Sequence, residues 1–381
     1  MSLAASPLSQ LILYFLKLGT IGFGGPVALV EYMRRDLVDA RRWITEDEYK
    51  EGLALSQLAP GPLAAQLAIY LGYVRHGIIG ATVTGVAFVL PSFVMVIALG
   101  WLYVRYGGLP WMQAVFYGVA PAVIGIIAVS AHRLTRESIG RSSLLWLIYL
   151  SAAVITVITE SEFVLLFLGA GVLVWMVRAP PGKVRRDRSV VFALPSLLVV
   201  STAADPSLLL DIAKFFTYAG AFVFGSGLAI VPFLYGGVVT QHGWLSEQQF
   251  IDAVAVAFVT PGPVVITTGF IGFLVAGFPG AAVAALATFL PAYLLTILPA
   301  PYFKKYGKRA DIAAFVEGVT TAAIGAISGA VIVLAQRSIS DFPTALIALM
   351  ASLLLVKWRI PEPLIVFAAA LAGAAMKMRM L

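Results

Sequence analysis

The sequence predicts an all-α integral membrane protein. Two homologous halves are expected as inverted repeats, each with a re-entrant helix hairpin broken at a Pro-Gly-Pro motif. Three observations predict this. The 381 residues are 60% hydrophobic and only 12% charged, whereas a soluble domain carries roughly 25% charged residues. The chain resembles itself at an offset of 201 residues, which becomes 200 after one deletion. Lys and Arg exchange loops between the two copies.

The apolar runs at 78–104 and 310–335 exceed the roughly 20 helical residues needed to cross a hydrocarbon core. Absence of cysteine excludes disulfides and thiolate chemistry. The three histidines, His76, His132 and His242, stand apart from one another, and no His/Asp/Glu group has metal-ligand spacing. No nucleotide-binding or hydrolase signature is present. The expectation is a protein without cofactor or metal, and not an enzyme. The N-terminal stretch MSLAASPLSQLILYFLK lacks a basic leader and an obvious cleavage site, so no removable signal peptide is expected. The net charge of +7 reflects cytoplasmic loops rather than a nucleic-acid partner.

The repeat gives the organisation. FGGPVALVEY (23–32) aligns with FGSGLAIVPF (224–233), and WITEDEYKEGLAL (43–55) with WLSEQQFIDAVAV (244–256). Farther on, FVLPSF (88–93) aligns with TFLPAY (288–293), and GVAPAVIG (118–125) with GVTTAAIG (318–325). The expected division is an N-terminal half at 1–178, a basic linker with a short apolar segment at 179–205, and a C-terminal half at 206–381.

Orientation follows from the basic residues, which concentrate in cytoplasmic loops. The loop after the first helix carries Arg34, Arg35, Arg41, Arg42 and Lys50, while its counterpart around Gln241-His242-Gly243 carries no Lys or Arg. Conversely, Arg105 stands alone where the second half has Lys304, Lys305, Lys308 and Arg309. With inverted halves, 20 of the 26 basic residues face the cytoplasm and 4 face outward. A parallel arrangement separates them less well. The apolar segment 190–204 is 15 residues long and contains a proline, so it is read as non-spanning.

Each copy then breaks a helix in the same way. Thr45 with Glu48 and Ser246 with Gln249 form capping-box patterns. The helices they start are interrupted by Pro60-Gly61-Pro62 and Pro261-Gly262-Pro263, since proline lacks an N–H and clashes with the preceding turn. Short helices resume at 63–74 and 264–275, each about 18 Å long, half a membrane. Irregular backbone at membrane depth survives only inside protein or along a wet cavity. The helix start after each break presents free N–H groups and the positive end of a dipole. Broken helices at matching positions of inverted repeats point to a transporter's substrate site, and helix starts point to an anion.

Candidate site residues are accordingly Pro60, Gly61, Pro62, Pro261, Gly262 and Pro263, with Gly24 and Gly25 in the glycine-rich break of the first helix. Nearby polar groups are Gln57, Gln66, Ser226, Thr260 and Thr267, for which helix–helix hydrogen bonding is the competing role. Lys17 lies within the first helix, where a lysine marks a functional site unless it snorkels or pairs.

Phe23-Gly24-Gly25-Pro26, Trp43, Glu48, the run from Gln57 to Pro62 and Leu90-Pro91-Ser92-Phe93 together resemble the chromate ion transporter family in its long, two-domain form. The resemblance covers nearly the whole chain. It implies a carrier in the inner (plasma) membrane that exports chromate and gives chromate resistance, with sulfate as the natural competitor. The second half departs from the pattern, with Gly225-Ser226-Gly227 for the Gly-Gly-Pro and Phe258 at the place of Gln57. A carrier of another small anion and an anion channel of the same fold stay open as alternatives. A coupling ion such as H+ is expected for a carrier without an ATP site.

Overall fold

The computed structural model describes residues 7–22, 25–106, 110–159, 164–179, 206–221, 230–302, 310–339, 341–358 and 360–377. Residues 180–205, with the apolar segment 190–204, lie outside the described residues, as do Gly24, Ser226 and the basic loop 304–309. All described elements are helical. In the first half these are α1 (Leu8–Ile21), α2 (Gly25–Met33), α3 (Glu46–Leu58), α4 (Leu63–Tyr106), α5 (Pro110–Ser138), α6 (Ser143–Thr159) and α7 (Val164–Arg178). In the second they are α8 (Pro206–Ala221), α9 (Ile230–Tyr235), α10 (Glu247–Val259), α11 (Thr267–Ile297), α12 (Ala310–Ser338), α13 (Phe342–Lys357) and α14 (Glu362–Lys377). Four helical stretches among the described residues are long and apolar enough to cross a bilayer: Leu63–Tyr106, Gln113–Arg136, Val264–Tyr302 and Ala310–Gln336. Large apolar side chains cover the outer surface, with Leu165 82% and Leu286 71% exposed. Such a surface fits lipid rather than water.

The helix that follows each Pro-Gly-Pro is not straight. In α4 the backbone leaves helical geometry at His76 and Gly77, and in α11 at Ala276 and Gly277. Gly77 and Gly277 adopt φ of 61° and 62°, a left-handed turn that glycine makes at little cost. Each helix therefore has a short arm and a long arm. The arms fold tightly together, because a Cβ on Gly72 or Gly272 would overlap the carbonyl of Gly80 or Gly280.

The two halves are packed by exchange. α1 packs on α4 as α8 packs on α11, and α4 and α11 meet each other. By contrast, α5 packs on α13 and α14, and α12 packs on α6 and α7. The long fifth helix of each copy thus lies against the last two helices of the other. Glycines make the approach close. A Cβ on Gly118 of α5 would overlap the carbonyl of Ala369, and one on Gly318 of α12 would overlap that of Ala170. Each exchange also ends in a polar clasp. Arg178 at the end of α7 pairs with Glu317 of α12 and donates to Ser142 Oγ at 2.9 Å. On the other side, Tyr117 Oη of α5 donates to Asp341 Oδ2 at 2.6 Å, and Lys377 sits 5.3 Å over the Tyr117 ring. Asp341 also caps α13. The Tyr117 hydroxyl first, and the Thr344 N–H and hydroxyl after it, hold the Asp341 carboxyl below the usual carboxylate range.

Candidate functional site

The capping boxes form as the residue pattern predicts. Thr45 Oγ1 accepts from the Glu48 N–H at 3.1 Å, and Ser246 Oγ accepts from the Gln249 N–H at 3.2 Å. In the first half α3 then ends at Leu58, with Ala59 extended at ψ 140°. Gly61 takes φ 145°, a conformation open to glycine and strained for other residues. Farther from the break, Glu48 of α3 and Arg75 of α4 pair at 2.8 Å, and Gly52 makes room for the Tyr70 ring. In the second half α10 ends at Val259, and Gly262 takes φ 94°.

Each break is seated on the other half. The Gly262 N–H donates to the Gly22 carbonyl at 3.0 Å. Ser92 Oγ donates to the Pro261 carbonyl at 2.7 Å. Reciprocally, Gly61 backs onto Ala292, the counterpart of Ser92 in the repeat. The FVLPSF and TFLPAY segments therefore receive the break of the opposite copy. Sequence reasoning aligned these two segments but did not give them this role. Ser92 and Gly22 were missed as well.

The two breaks meet around one small cavity, lined by Leu29, Pro62, Leu63, Ala64, Gly262, Pro263, Val264 and Val265. Its free space is about 10 Å³, near the minimum for a single water. The helix starts reach this cavity with N–H groups to spare. The first helical bond of α4 runs from the Gln66 N–H to the Pro62 carbonyl at 3.0 Å. The N–H groups of Leu63, Ala64 and Ala65 therefore lie ahead of the ladder. The second half differs, because Val264–Ile266 forms a 3-10 turn before α11. The Ile266 N–H already bonds to Pro263, which leaves Val264 and Val265 ahead of the ladder.

The polar candidates separate into three groups. Gln66 is buried at the break and donates through Nε2 to the Pro60 carbonyl at 2.8 Å. Its Oε1 is buried with no partner among the described residues, an acceptor that a water or a ligand can satisfy. Thr260 and Thr267 are buried, but their hydroxyls donate back to Val256 and Val264 carbonyls at 3.1 and 2.7 Å. Those protons are spent within the helix as the structure stands. Gln57 and Lys17 are exposed and do not line the cavity between the breaks. Gly25 begins α2, after the interruption at Gly22 that ends α1.

Two larger cavities lie elsewhere among the described residues. One of about 250 Å³ is lined by Tyr14, Lys17, Leu18, Ile21, Gly22, Tyr32, Arg35, Asp36 and Arg41. The other, about 300 Å³, lies beside α5 and α10 and has Asp252 on its wall. Asp252 is 3% exposed and accepts hydrogen bonds from Tyr103 Oη at 2.7 Å and Gln248 Nε2 at 2.8 Å. Among the described residues no group of three His, Cys, Asp or Glu could hold a metal ion.

The sequence model of the family described as Chromate transporter matches twice, at residues 9–175 and 210–374. The chain belongs to the chromate transporter family. Its relatives include the chromate transport protein of Cupriavidus metallidurans, 67% identical over 96% of this chain and 92% of the relative. A probable chromate transport protein of Synechococcus elongatus is 62% identical over 97% of this chain and 95% of the relative. The chromate transport protein of Pseudomonas aeruginosa is 30% identical over 96% of this chain and 91% of the relative. No solved structure matches. Family membership makes this a multi-pass membrane transporter and not an enzyme, and the two matched segments correspond to its two copies.

Proposed function

We propose that this protein is a secondary carrier that exports chromate from the cytoplasm across the inner membrane and so confers chromate resistance. The observation that carries this reading is the meeting of the two Pro-Gly-Pro breaks around one cavity. Helix starts from both copies offer N–H groups and dipole ends to a dianion there, with Gln66 beside them. The names of the relatives supply chromate as the substrate. Sulfate, a tetrahedral dianion of similar size, asks for the same donors. A cavity of about 10 Å³ does not hold such an anion, so the breaks must part for it to enter. That favours a carrier with alternating states over an open channel.

The halves are read as inverted repeats and each break as the tip of a re-entrant hairpin. Support for the hairpin comes from the Glu48–Arg75 pair, which brings the two outer ends of the broken segment together. Support for inversion comes from the contact of α4 with α11. Thr82, early in the long arm of α4, lies against Tyr293, late in the long arm of α11, with their hydroxyls 2.6 Å apart. Farther along α4, Phe93 lies against Gly269 and Gly100 against Phe273, both on the short arm of α11. The two long arms therefore run in opposite directions where they meet. Parallel copies would instead set Thr82 near Ala282, its own counterpart in the repeat. A single cysteine at Asp39 should react with an impermeant thiol reagent from the cytoplasm only, and one at His242 from outside only. Reaction of both from the same side would overturn the inversion.

H+ is the proposed coupling ion, and Asp252 is the carboxylate buried on a cavity wall to carry it, with Tyr103, Tyr117, Gln248 and Lys377 around the same cavity. The test is uptake into everted vesicles or proteoliposomes under an imposed pH gradient, with chromate and sulfate compared. Saturable chromate uptake that follows the gradient is expected. Uptake of sulfate alone would transfer the function to sulfate, and flux without saturation would make the protein a channel.

A further inference from the structure

The two copies differ at the cavity enclosed by the first helix and the turn that follows α2. In the first copy, α1 and the π-helical turn Arg34–Ala40 enclose the 250 Å³ cavity with Lys17, Arg35 and Arg41 on its wall. Asp36 is its one carboxylate, and it binds Arg35 at 3.0 Å. Lys17 has no ion pair among the described residues, and Arg41 rests on the rings of Tyr14 and Trp43 at 5.3 and 4.6 Å. Neither Lys17 nor Arg41 has a carboxylate partner among the described residues, and the recess is large enough for an oxyanion and several waters, each of which takes about 30 Å³. Gly22 forms part of the wall, and its carbonyl holds the Gly262 N–H of the opposite break. Gly22 thus links the recess to Gly262, which lines the central cavity.

In the second copy every one of the polar positions has changed. Tyr14, Lys17, Tyr32, Arg35, Asp36 and Arg41 become Phe215, Tyr218, Phe233, Gly236, Gly237 and His242 at the constant offset of 201. The side chains fill the space with rings. Phe215 stacks on Phe233 with centroids 5.4 Å apart, and His242 stacks on Trp244 at 4.2 Å. Gly237 is required there, because a Cβ would overlap the Phe215 ring.

We infer that the Lys17–Arg35–Arg41 recess is an anion-loading vestibule on one face of the membrane only, which captures the dianion before the central breaks part, and that the aromatic cluster is its closed counterpart on the other face. This rests on the proposed transport reading for its direction: the basic loop faces the cytoplasm. A cationic cleft with apolar walls raises the local concentration of an anion. Release on the other face meets no such trap. The asymmetry lets the protein load at a lower anion concentration from the vestibule side, while the coupling gradient sets the net direction.

The chain has no cysteine, so a single one at Ile21, on the recess wall, reports the local potential. Its reaction with an anionic sulfonatoethyl thiosulfonate is compared with that of the cationic trimethylammonium reagent. We expect the anionic reagent to be favoured at low salt, and sulfate to slow it. Adding Lys17→Gln and Arg41→Gln should cut the preference several-fold and abolish its salt dependence. In everted vesicles the same pair should raise KM for chromate by roughly tenfold with little change in maximal rate. Lys17→Arg should retain most of the affinity. Lys214→Gln, on α8 and paired at the surface with Asp211, is the control and should change neither measurement. Lys17→Gln alone, which removes an exposed side chain, covers the case in which the double variant fails to fold. An unchanged reagent preference and an unchanged KM in folded variants would overturn the vestibule. Loss of chromate transport in the unmodified protein, with the reagent preference intact, would instead refute the transport reading and leave the anion recess standing.

Discussion

Replacing Pro60-Gly61-Pro62 with three alanines is expected to reduce chromate export to background. Alanine favours a continuous helix from α3 into α4, and the N–H groups that now precede the ladder would be drawn into bonds four residues back. A helix end in favourable, partly buried geometry contributes up to about 2 kcal/mol to binding a charge, or about thirtyfold in affinity. Straightening also separates Glu48 from Arg75 and removes the positive-φ turn at Gly61. The measurement is chromate efflux, or resistance in cells lacking their own carrier, normalised to protein in the membrane. The same change at 261–263 should be as harmful, since Pro261 and Gly262 bond to Ser92 and Gly22 of the first copy. Pro62→Ala alone restores one N–H without forcing the turn open, and it separates loss of the anion site from loss of the fold. Normal efflux by a well-inserted triple variant would make the breaks architectural and move the anion site elsewhere.

Gly118→Leu and Gly318→Leu are expected to destabilise the protein more than any other change between the copies. At each site the added side chain meets a backbone carbonyl of the opposite copy, Ala369 or Ala170. Backbone does not yield as a flexible side chain does. Overpacking costs about 1–3 kcal/mol even where side chains can adjust. Lower melting temperatures in detergent and poor recovery of folded protein should follow. Gly169→Leu is the control, because nothing lies within 4 Å of a Cβ there. If Gly118→Leu and Gly169→Leu unfold alike, the close approach of α5 to α14 is not what holds the exchange.

Local chemistry was legible in the sequence, and contacts between copies were not. The capping boxes at Thr45 and Ser246 and the helix ends at Leu58 and Val259 follow from short patterns that depend only on neighbouring residues. So do the ends of the short arms, where Gly77 and Gly277 sit. The π-helical turns at Arg34–Ala40 and Gly236–Gln241 carry no comparable signature. Ser92 and Pro261 lie 169 residues apart, and nothing in either segment announces the other. Gln57 shows a different limit. It stands one residue before the end of α3 and beside the motif, yet its side chain is exposed. Adjacency in sequence does not choose the face of a helix. Lys17 was conspicuous as a lysine in an apolar helix, but its setting beside Arg35 and Arg41 depends on how the π-helical turn folds back over α1.

The exchange of long helices has a consequence for biosynthesis. α5 leaves the ribosome well before the residues of α13 and α14 have been made. Until they arrive, its glycine-lined face has no proper occupant. α6 and α7 must likewise wait for α12. The first copy therefore cannot mature as an independent unit during synthesis, although it contains every element of one repeat. Contacts of such long sequence separation form late and leave surfaces open to wrong partners. A nascent chain halted after the first copy would be a half-lock without its key, and a separate chain carrying the second copy would offer the surface it lacks.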